Sequence, residues 1–101
     1  MELEVSVADV RISGNKSLYP GVAAEYVCTA DKADSLVWSL QYEDGEDAPY
    51  TVVKDDHDAT EDTSTISLKA ADNHIAINIT CTSQNTFGGG HYSMAVNIQS
   101  K

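Results

Sequence analysis

The sequence predicts an all-β domain, a two-layer antiparallel sandwich of about seven short strands. Apolar and polar residues alternate along most of the chain, which is the period of strands with one buried face. Turn-rich stretches separate the alternating runs, and no segment keeps a helical apolar period over three turns. Strands with a single apolar face must bury it against a second layer. One domain is expected over residues 1–101, a common domain size.

The strands follow in order from this alternation. Their apolar rows are Leu3, Val5 and Val7; Val10 and Ile12; Val22, Ala24, Tyr26, Cys28 and Ala30; Leu36, Trp38, Leu40 and Tyr42; Ile66 and Leu68; Ile75, Ile77, Ile79 and Cys81; and Tyr92, Met94, Val96 and Ile98. The change of phase between Val7 and Val10 predicts a bulge or kink. In LYPG, Pro20 presets φ and Gly21 accepts a positive φ, which predicts a type II turn. Turns are also expected in DKAD, EDGEDAP, DDHDATED, AADNH and NTFGGG.

Two cysteines, Cys28 and Cys81, lie 53 positions apart on the inward faces of two predicted strands. Their spacing matches no zinc-ligand pattern, so a structural disulfide is the favoured interpretation, and it implies an oxidising compartment. Two buried free thiols are the alternative. Trp38 lies on the inward face of the strand after the first cysteine. This Cys…Trp…Cys arrangement is typical of an immunoglobulin sandwich, in which the indole packs on an inter-sheet disulfide.

Over nearly its whole length the chain resembles an immunoglobulin-superfamily domain, most closely the I-type set of adhesion molecules and receptors. The matching positions are Gly21, seven residues before Cys28; Ala30, two after it; Leu36, two before Trp38; Ile66 and Leu68, fifteen and thirteen before Cys81; and Asn85 and Gly88 in CTSQNTFG, which resembles the signature CxxxNxxG. The resemblance implies an immunoglobulin-like sandwich with one inter-sheet disulfide. Its implied core positions are Leu36, Trp38, Ile66, Leu68 and Ile79.

One corner departs from the family pattern. Before the second cysteine, the family's D-x-G/A-x-Y-x-C is replaced by a row of Ile75, Ile77 and Ile79. The tyrosine hydroxyl that would bond to the corner backbone is therefore absent, and we expect aliphatic burial instead, with Asp72 and Asn73 making the turn. Ig-like domains of tailed-phage outer-capsid decoration proteins also diverge at this corner. They are the second resemblance.

The charge balance restricts the partners. The chain has 16 Asp and Glu against 6 Lys and Arg, a formal net charge of −10. Nucleic acid and anionic membranes would be repelled, because binding to them depends on basic side chains that neutralise phosphates. We therefore expect neither nucleic acid nor direct membrane binding. A protein or glycan ligand, basic partners included, and a weak homophilic contact remain as expectations.

Acidic residues are concentrated between Glu43 and Asp62, a stretch that holds nine of the sixteen. The favoured interpretation is a solvated edge that repels neighbouring strands. A basic partner, or calcium bound by DDHDATED, is the alternative, although the EF-hand pattern is absent. The histidines, His57, His74 and His91, are expected at the surface. Because His74 and His91 fall at opposite ends of the predicted sandwich, they cannot share an ion, and no metal site is predicted.

The hairpin from Gln84 to Tyr92 is the strongest candidate for binding, since loops at sandwich ends are positioned by a rigid scaffold. Its candidate residues are Gln84, Asn85, Phe87, His91 and Tyr92. The alternative is structural: Asn85 bonds the hairpin backbone and Phe87 folds onto the sheet. Two sequons, NKS at Asn15 and NIT at Asn78, are candidate N-glycosylation sites.

No catalytic motif or phosphate-binding loop occurs, so we expect neither an enzyme nor a cofactor. The sequence therefore favours a surface-displayed recognition or adhesion domain of a larger extracellular or cell-surface protein. One alternative is a decoration domain on a phage capsid or other virion surface, and a second is a structural spacer. The start, MELEVSV, lacks the features of a signal peptide, which is compatible with cytoplasmic synthesis or with an excised domain.

Overall fold

The computed structural model of the protein describes residues 10–31, 35–57, 61–85 and 88–99. Within these ranges the chain forms eight strands and no helix. The strands are β1 (Val10–Ser13), β2 (Ser17–Leu18), β3 (Ala24–Asp31), β4 (Ser35–Tyr42), β5 (Tyr50–His57), β6 (Glu61–Leu68), β7 (Ala76–Asn85) and β8 (Gly88–Ile98). The predicted row of Leu3, Val5 and Val7, with the phase change after it, lies outside the described residues.

The strands form two four-stranded sheets. The first sheet has the order β1-β3-β6-β5, and the second has the order β2-β8-β7-β4. Neighbouring strands are antiparallel, except that β2 and β8 are parallel. The predicted all-β, two-layer antiparallel sandwich is therefore confirmed.

Two adjacent cross-links, a disulfide and a hydrogen bond, join the two sheets. Cys28 of β3 is bonded to Cys81 of β7, so the predicted disulfide is confirmed and the free-thiol alternative is wrong. Cys28 is paired in register with Ser64 of β6, and Cys81 with Trp38 of β4. The Trp38 indole N–H donates to Ser64 Oγ over 2.9 Å. The four residues thus make two adjacent cross-links through the sandwich.

The core lies between the sheets around these cross-links. Of the predicted core positions, Trp38, Ile66, Leu68 and Ile79 are buried, whereas Leu36 is half-buried and packs against the edge of the core. The other large apolar side chains with no exposed surface are Tyr26, Ile77 and Val96. Burial of each such side chain contributes about 1.5–3 kcal/mol before entropy is counted, so this layer is the main source of stability.

The chain crosses from the first sheet to the second between β1 and β2. Gly14 lies at the crossing with φ 151°, and a Cβ there would come within 2.3 Å of the Tyr26 ring. Only glycine lets the backbone pass this close to the aromatic side chain. The Tyr26 hydroxyl donates to the carbonyl of Asn15 over 2.7 Å, which secures the same crossing.

The turn predicted in LYPG is present. The N–H of Val22 donates to the carbonyl of Tyr19 over 3.1 Å, and Gly21 has φ 78°, as a type II turn requires. The predicted inward row of the next strand is shorter than expected, however. β3 begins at Ala24, and the Val22 side chain is exposed because it belongs to the turn.

The alternation does not predict β5. The sequence predicts a turn in DDHDATED, but the first three residues of that stretch belong to this strand. It is the edge strand of the first sheet opposite β1, called the outer strand here, and its side chains from Tyr50 to Asp56 are exposed on both faces. A strand without a buried face leaves no period-2 signal. Its register with β6 shifts between Val52 and Lys54, and Asp55 and Asp56 follow. Bulges and charges of this kind discourage pairing with another chain.

The acidic turn after β4 folds back along the outer edge of that strand. The N–H of Tyr42 donates to the carbonyl of Glu46 over 2.8 Å, and the N–H of Ala48 donates to the carbonyl of Leu40 over 2.9 Å. These bonds place the carboxylates of residues 43–47 at the end of the sandwich where β6 connects to β7.

Candidate functional site

Four of the five predicted hairpin residues, Gln84, Asn85, His91 and Tyr92, lie in strands rather than in a loop. Gln84 belongs to β7, while His91 and Tyr92 belong to β8, and the final register pair is Asn85 with Gly88. The expected turn in NTFGGG is therefore shorter than predicted, because the ladder continues through its glycines. Gln84, His91 and Tyr92 are exposed. The Asn85 side chain and all of Phe87 lie outside the described residues.

Tyr92 is held beside the disulfide. It is paired in register with Cys81, which is paired on its other side with Trp38. The three residues form one row across the second sheet, but Tyr92 keeps 41% of its surface exposed whereas its neighbours are buried. β2 pairs with β8 only at Asn97 and Ile98, so among the described residues no strand is hydrogen-bonded to this edge of β8 beside Tyr92. The result is an aromatic side chain on a rigid backbone with one accessible side.

A second group of polar side chains lies at the opposite end of the hairpin strands. Glu43, the first residue after β4, bridges to the corner between β6 and β7. Its Oε1 accepts the backbone N–H groups of Ile75 and Ala76 over 3.0 and 3.2 Å, and its Oε2 lies 3.1 Å from Nδ1 of His74. Partial burial raises the pKa of Glu43, but its own backbone N–H and these hydrogen bonds lower it, to about 2 against an ordinary 4.5.

His74 is not a surface residue, and the expectation of three surface histidines is wrong here. Its side chain is only 7% exposed. The imidazole stacks on the Tyr42 ring with centroids 3.6 Å apart and planes within 4°. Stacking and the bond to Glu43 together fix the orientation of the ring. His91 is exposed in β8, as expected, whereas the His57 side chain lies outside the described residues.

The corner between β6 and β7 is held by a tyrosine from another strand. The hydroxyl of Tyr42 accepts the backbone N–H of Ala71 over 3.1 Å, so a tyrosine does bond to this corner, but from β4. Asp72 and Asn73 make the turn, as predicted. The aliphatic row is only partly inward: Ile75 is 70% exposed, because β7 begins one residue later and His74 occupies the buried position.

Two further carboxylates approach His74 from the acidic turn. Asp44 Oδ2 lies 4.0 Å from the ring Nδ1, and Glu46 Oε1 lies 3.8 Å from the ring Nε2. Asp44 also accepts the backbone N–H of Glu46 through Oδ1 over 3.0 Å. Ligand atoms from Asp44, Glu46 and His74 all fall within 4.8 Å of one another, and no other such trio occurs among the described residues.

The acidic stretch therefore divides into two surfaces. Glu43, Asp44 and Glu46 gather around His74, while Asp55 and Asp56 are exposed on the outer strand of the first sheet. Calcium binding by DDHDATED remains an alternative to the solvated edge, and no group of three metal-ligating side chains occurs there in the part of the chain that the structure describes. Both sequon asparagines, Asn15 and Asn78, have exposed side chains.

Sequence comparisons assign no family. No protein-family model matches the chain, and no curated protein matches it. In the described ranges, no helix is long and apolar enough to cross a membrane.

Proposed function

We propose that this protein is an immunoglobulin-like recognition domain without enzymatic activity, displayed at a cell surface or in the extracellular space. It binds a protein or glycan partner through the hairpin end of the sandwich. The observation that carries the proposal is Tyr92, a large aromatic side chain that stays accessible although its backbone is paired with a disulfide-bonded cysteine.

The hairpin end of the sandwich has the composition of a binding site. His91 and Gln84 are exposed on the same hairpin, on the opposite face of the sheet from Tyr92, and offer hydrogen-bond donors and acceptors. Tyrosine is enriched in protein interfaces because it buries much area with few rotatable bonds. A rigid platform also lowers the entropy cost of association. The disulfide is consistent with an oxidising compartment, and therefore with an extracellular location.

The partner surface is expected to be neutral or basic. The net charge of −10 repels anionic polymers at long range, and the exposed carboxylates of the outer strand add to this field. A basic protein surface would associate faster at low salt than at high salt, whereas a neutral glycan would show little salt dependence.

Binding of a multivalent form of the domain to a glycan array and to cell surfaces tests the proposal. Tyr92→Ala and His91→Ala should each weaken attachment about tenfold or more if these residues are anchors of the interface. Tyr19→Ala is the matched control, because Tyr19 is 56% exposed and lies in the turn before β3, remote from the hairpin. Circular dichroism of each variant checks that the fold is retained.

Attachment that is unchanged in both hairpin variants would contradict the proposal and favour a spacer. The mass of the protein isolated from its native source, with and without deglycosylation, distinguishes a receptor domain from a virion decoration domain. A glycosylated species whose mass falls on deglycosylation favours a receptor, and an unglycosylated species recovered with particles favours a virion decoration domain.

A further inference from the structure

We propose that Asp44, Glu46 and His74 form a binding site for a divalent transition-metal ion, with Zn²⁺ as the expected occupant. The site lies at the end of the sandwich away from the hairpin, so this proposal does not depend on the proposed function.

His74 carries the argument, because it is a buried imidazole with one nitrogen left for a ligand. Nδ1 lies 3.1 Å from the Glu43 carboxylate, within hydrogen-bond distance. Nε2 makes no hydrogen bond with any described residue, and it faces the Glu46 carboxylate at 3.8 Å. Metal-bound histidines characteristically donate their second ring N–H to a carboxylate, which fixes the tautomer and raises the basicity of the ligating nitrogen. Glu43 is in the position for that role.

The two carboxylates are free to complete the site. The side chains of Asp44 and Glu46 are 50% and 71% exposed, and that of Glu46 forms no hydrogen bond within the described ranges. An ion held about 2.0–2.2 Å from each ligand separates two ligand atoms by at most roughly 4.4 Å. One ligand atom from each residue, a single ring nitrogen among them, already lies within 4.8 Å of the other two. Glu46 Oε1 faces Nε2, whereas Asp44 Oδ2 lies 4.0 Å from Nδ1 and must rotate toward Nε2. Rotations of the two exposed side chains therefore close the site without moving the buried ring.

The mixture of ligands selects the class of ion. Calcium and magnesium prefer oxygen ligands alone, whereas imidazole with carboxylates suits Zn²⁺ and its neighbours in the first transition series. Three protein ligands leave a fourth tetrahedral position for water or for a group from a partner. The high negative charge of the chain raises the local cation concentration.

The test is a zinc titration of the untagged full chain after treatment with a chelator, followed by calorimetry and by NMR of the histidine side chains. Saturable binding of one Zn²⁺ is expected, with Ca²⁺ binding much more weakly. Signals from the His74 ring should shift, whereas those of His91 should not. Glu46→Gln and Asp44→Asn should each weaken zinc binding about tenfold or more, and the asparagine oxygen can still accept the backbone bond of the turn.

Two controls test whether loss of any exposed carboxylate or imidazole would weaken zinc binding equally. Glu25→Gln removes one exposed carboxylate from β3, and His91→Gln removes an exposed imidazole from β8; both should bind zinc as the unmodified chain does. The proposal is overturned if zinc does not saturate the chain, if calcium binds equally well, or if either control weakens binding as much as Glu46→Gln. His74→Gln should abolish binding; if it does not fold, the two carboxylate variants and the NMR shifts decide.

Discussion

Ser64→Ala tests whether the tryptophan–serine bond is a true cross-link between the sheets. The Ser64 hydroxyl is the hydrogen-bond acceptor of the Trp38 indole, and both residues are buried next to the disulfide. Alanine would leave the indole N–H without a partner where water has no access. An unsatisfied buried donor costs about 1–3 kcal/mol. For a domain of this size, each kcal/mol lowers Tm by about 4–8 °C.

The assay is urea and thermal unfolding followed by circular dichroism, with the disulfide intact. Ser39→Ala, an exposed serine on the strand of Trp38, is the matched control and should change the free energy of unfolding by less than about 0.5 kcal/mol. Trp38→Phe and the double variant with Ser64→Ala complete a cycle, whose coupling energy should be about 0.5–1.5 kcal/mol. If the Ser64→Ala and Ser39→Ala variants have the same Tm, the Trp38–Ser64 bond does not stabilise the fold and the reasoning is refuted.

Three other variants test the corner and the core. Tyr42→Phe removes the hydroxyl that accepts a backbone N–H of the corner and should cost about 0.5–1.5 kcal/mol in urea unfolding; no change would mean that water replaces this bond fully. The lowered pKa of Glu43, about 2 against 4.5, gives stability that is fully present above pH 4.5 and lost as the pH falls toward 2. The Tm difference between the chain and Glu43→Gln, measured in chelator, should therefore shrink over that range, and a constant difference would contradict the assignment. Replacing Cys28 and Cys81 by serine should lower the free energy of unfolding by about 2–5 kcal/mol, and a smaller loss would mean that the core alone holds the sheets together.

The fold could be predicted because burial on one face leaves a period of two in the sequence. Each strand with two or more buried apolar positions leaves such a row, whereas β2, in which Leu18 alone is buried, leaves none and was not predicted. The inward positions of Cys28, Trp38 and Cys81 followed from the same phase. β5 could not be found in this way, since its described side chains are exposed on both faces. The alternation also extended one residue too far at Ile75, whose backbone N–H donates to the Glu43 carboxylate although its carbonyl accepts the N–H of Ile98 in β8.

The sites were less predictable, because they depend on contacts between distant residues. Glu43 and His74 lie 31 positions apart, and no local pattern relates them. Ser64 did leave a signal: it occupies an inward position in the row of Ile66 and Leu68, and a polar residue in such a row requires a buried partner. Tyr92 continues the inward row of Met94, Val96 and Ile98, so alternation alone predicts its burial. Its 41% exposure depends on which residues cover the edge of β8, and the alternation does not show this.

The parallel pairing of β2 with β8 has a mechanical consequence. The backbone bonds from Asn97 to Lys16 and from Gln99 to Leu18 are 2.8 and 2.7 Å long and join the beginning of the described chain to its end. If tension is applied to the two ends, the two strands are pulled in opposite directions along their axes, and these bonds are loaded in shear and must break together. The bonds of the antiparallel β7–β8 pair, pulled apart at one end, would instead open one after another. Resistance of the sandwich to stretching is thus concentrated in its smallest strand.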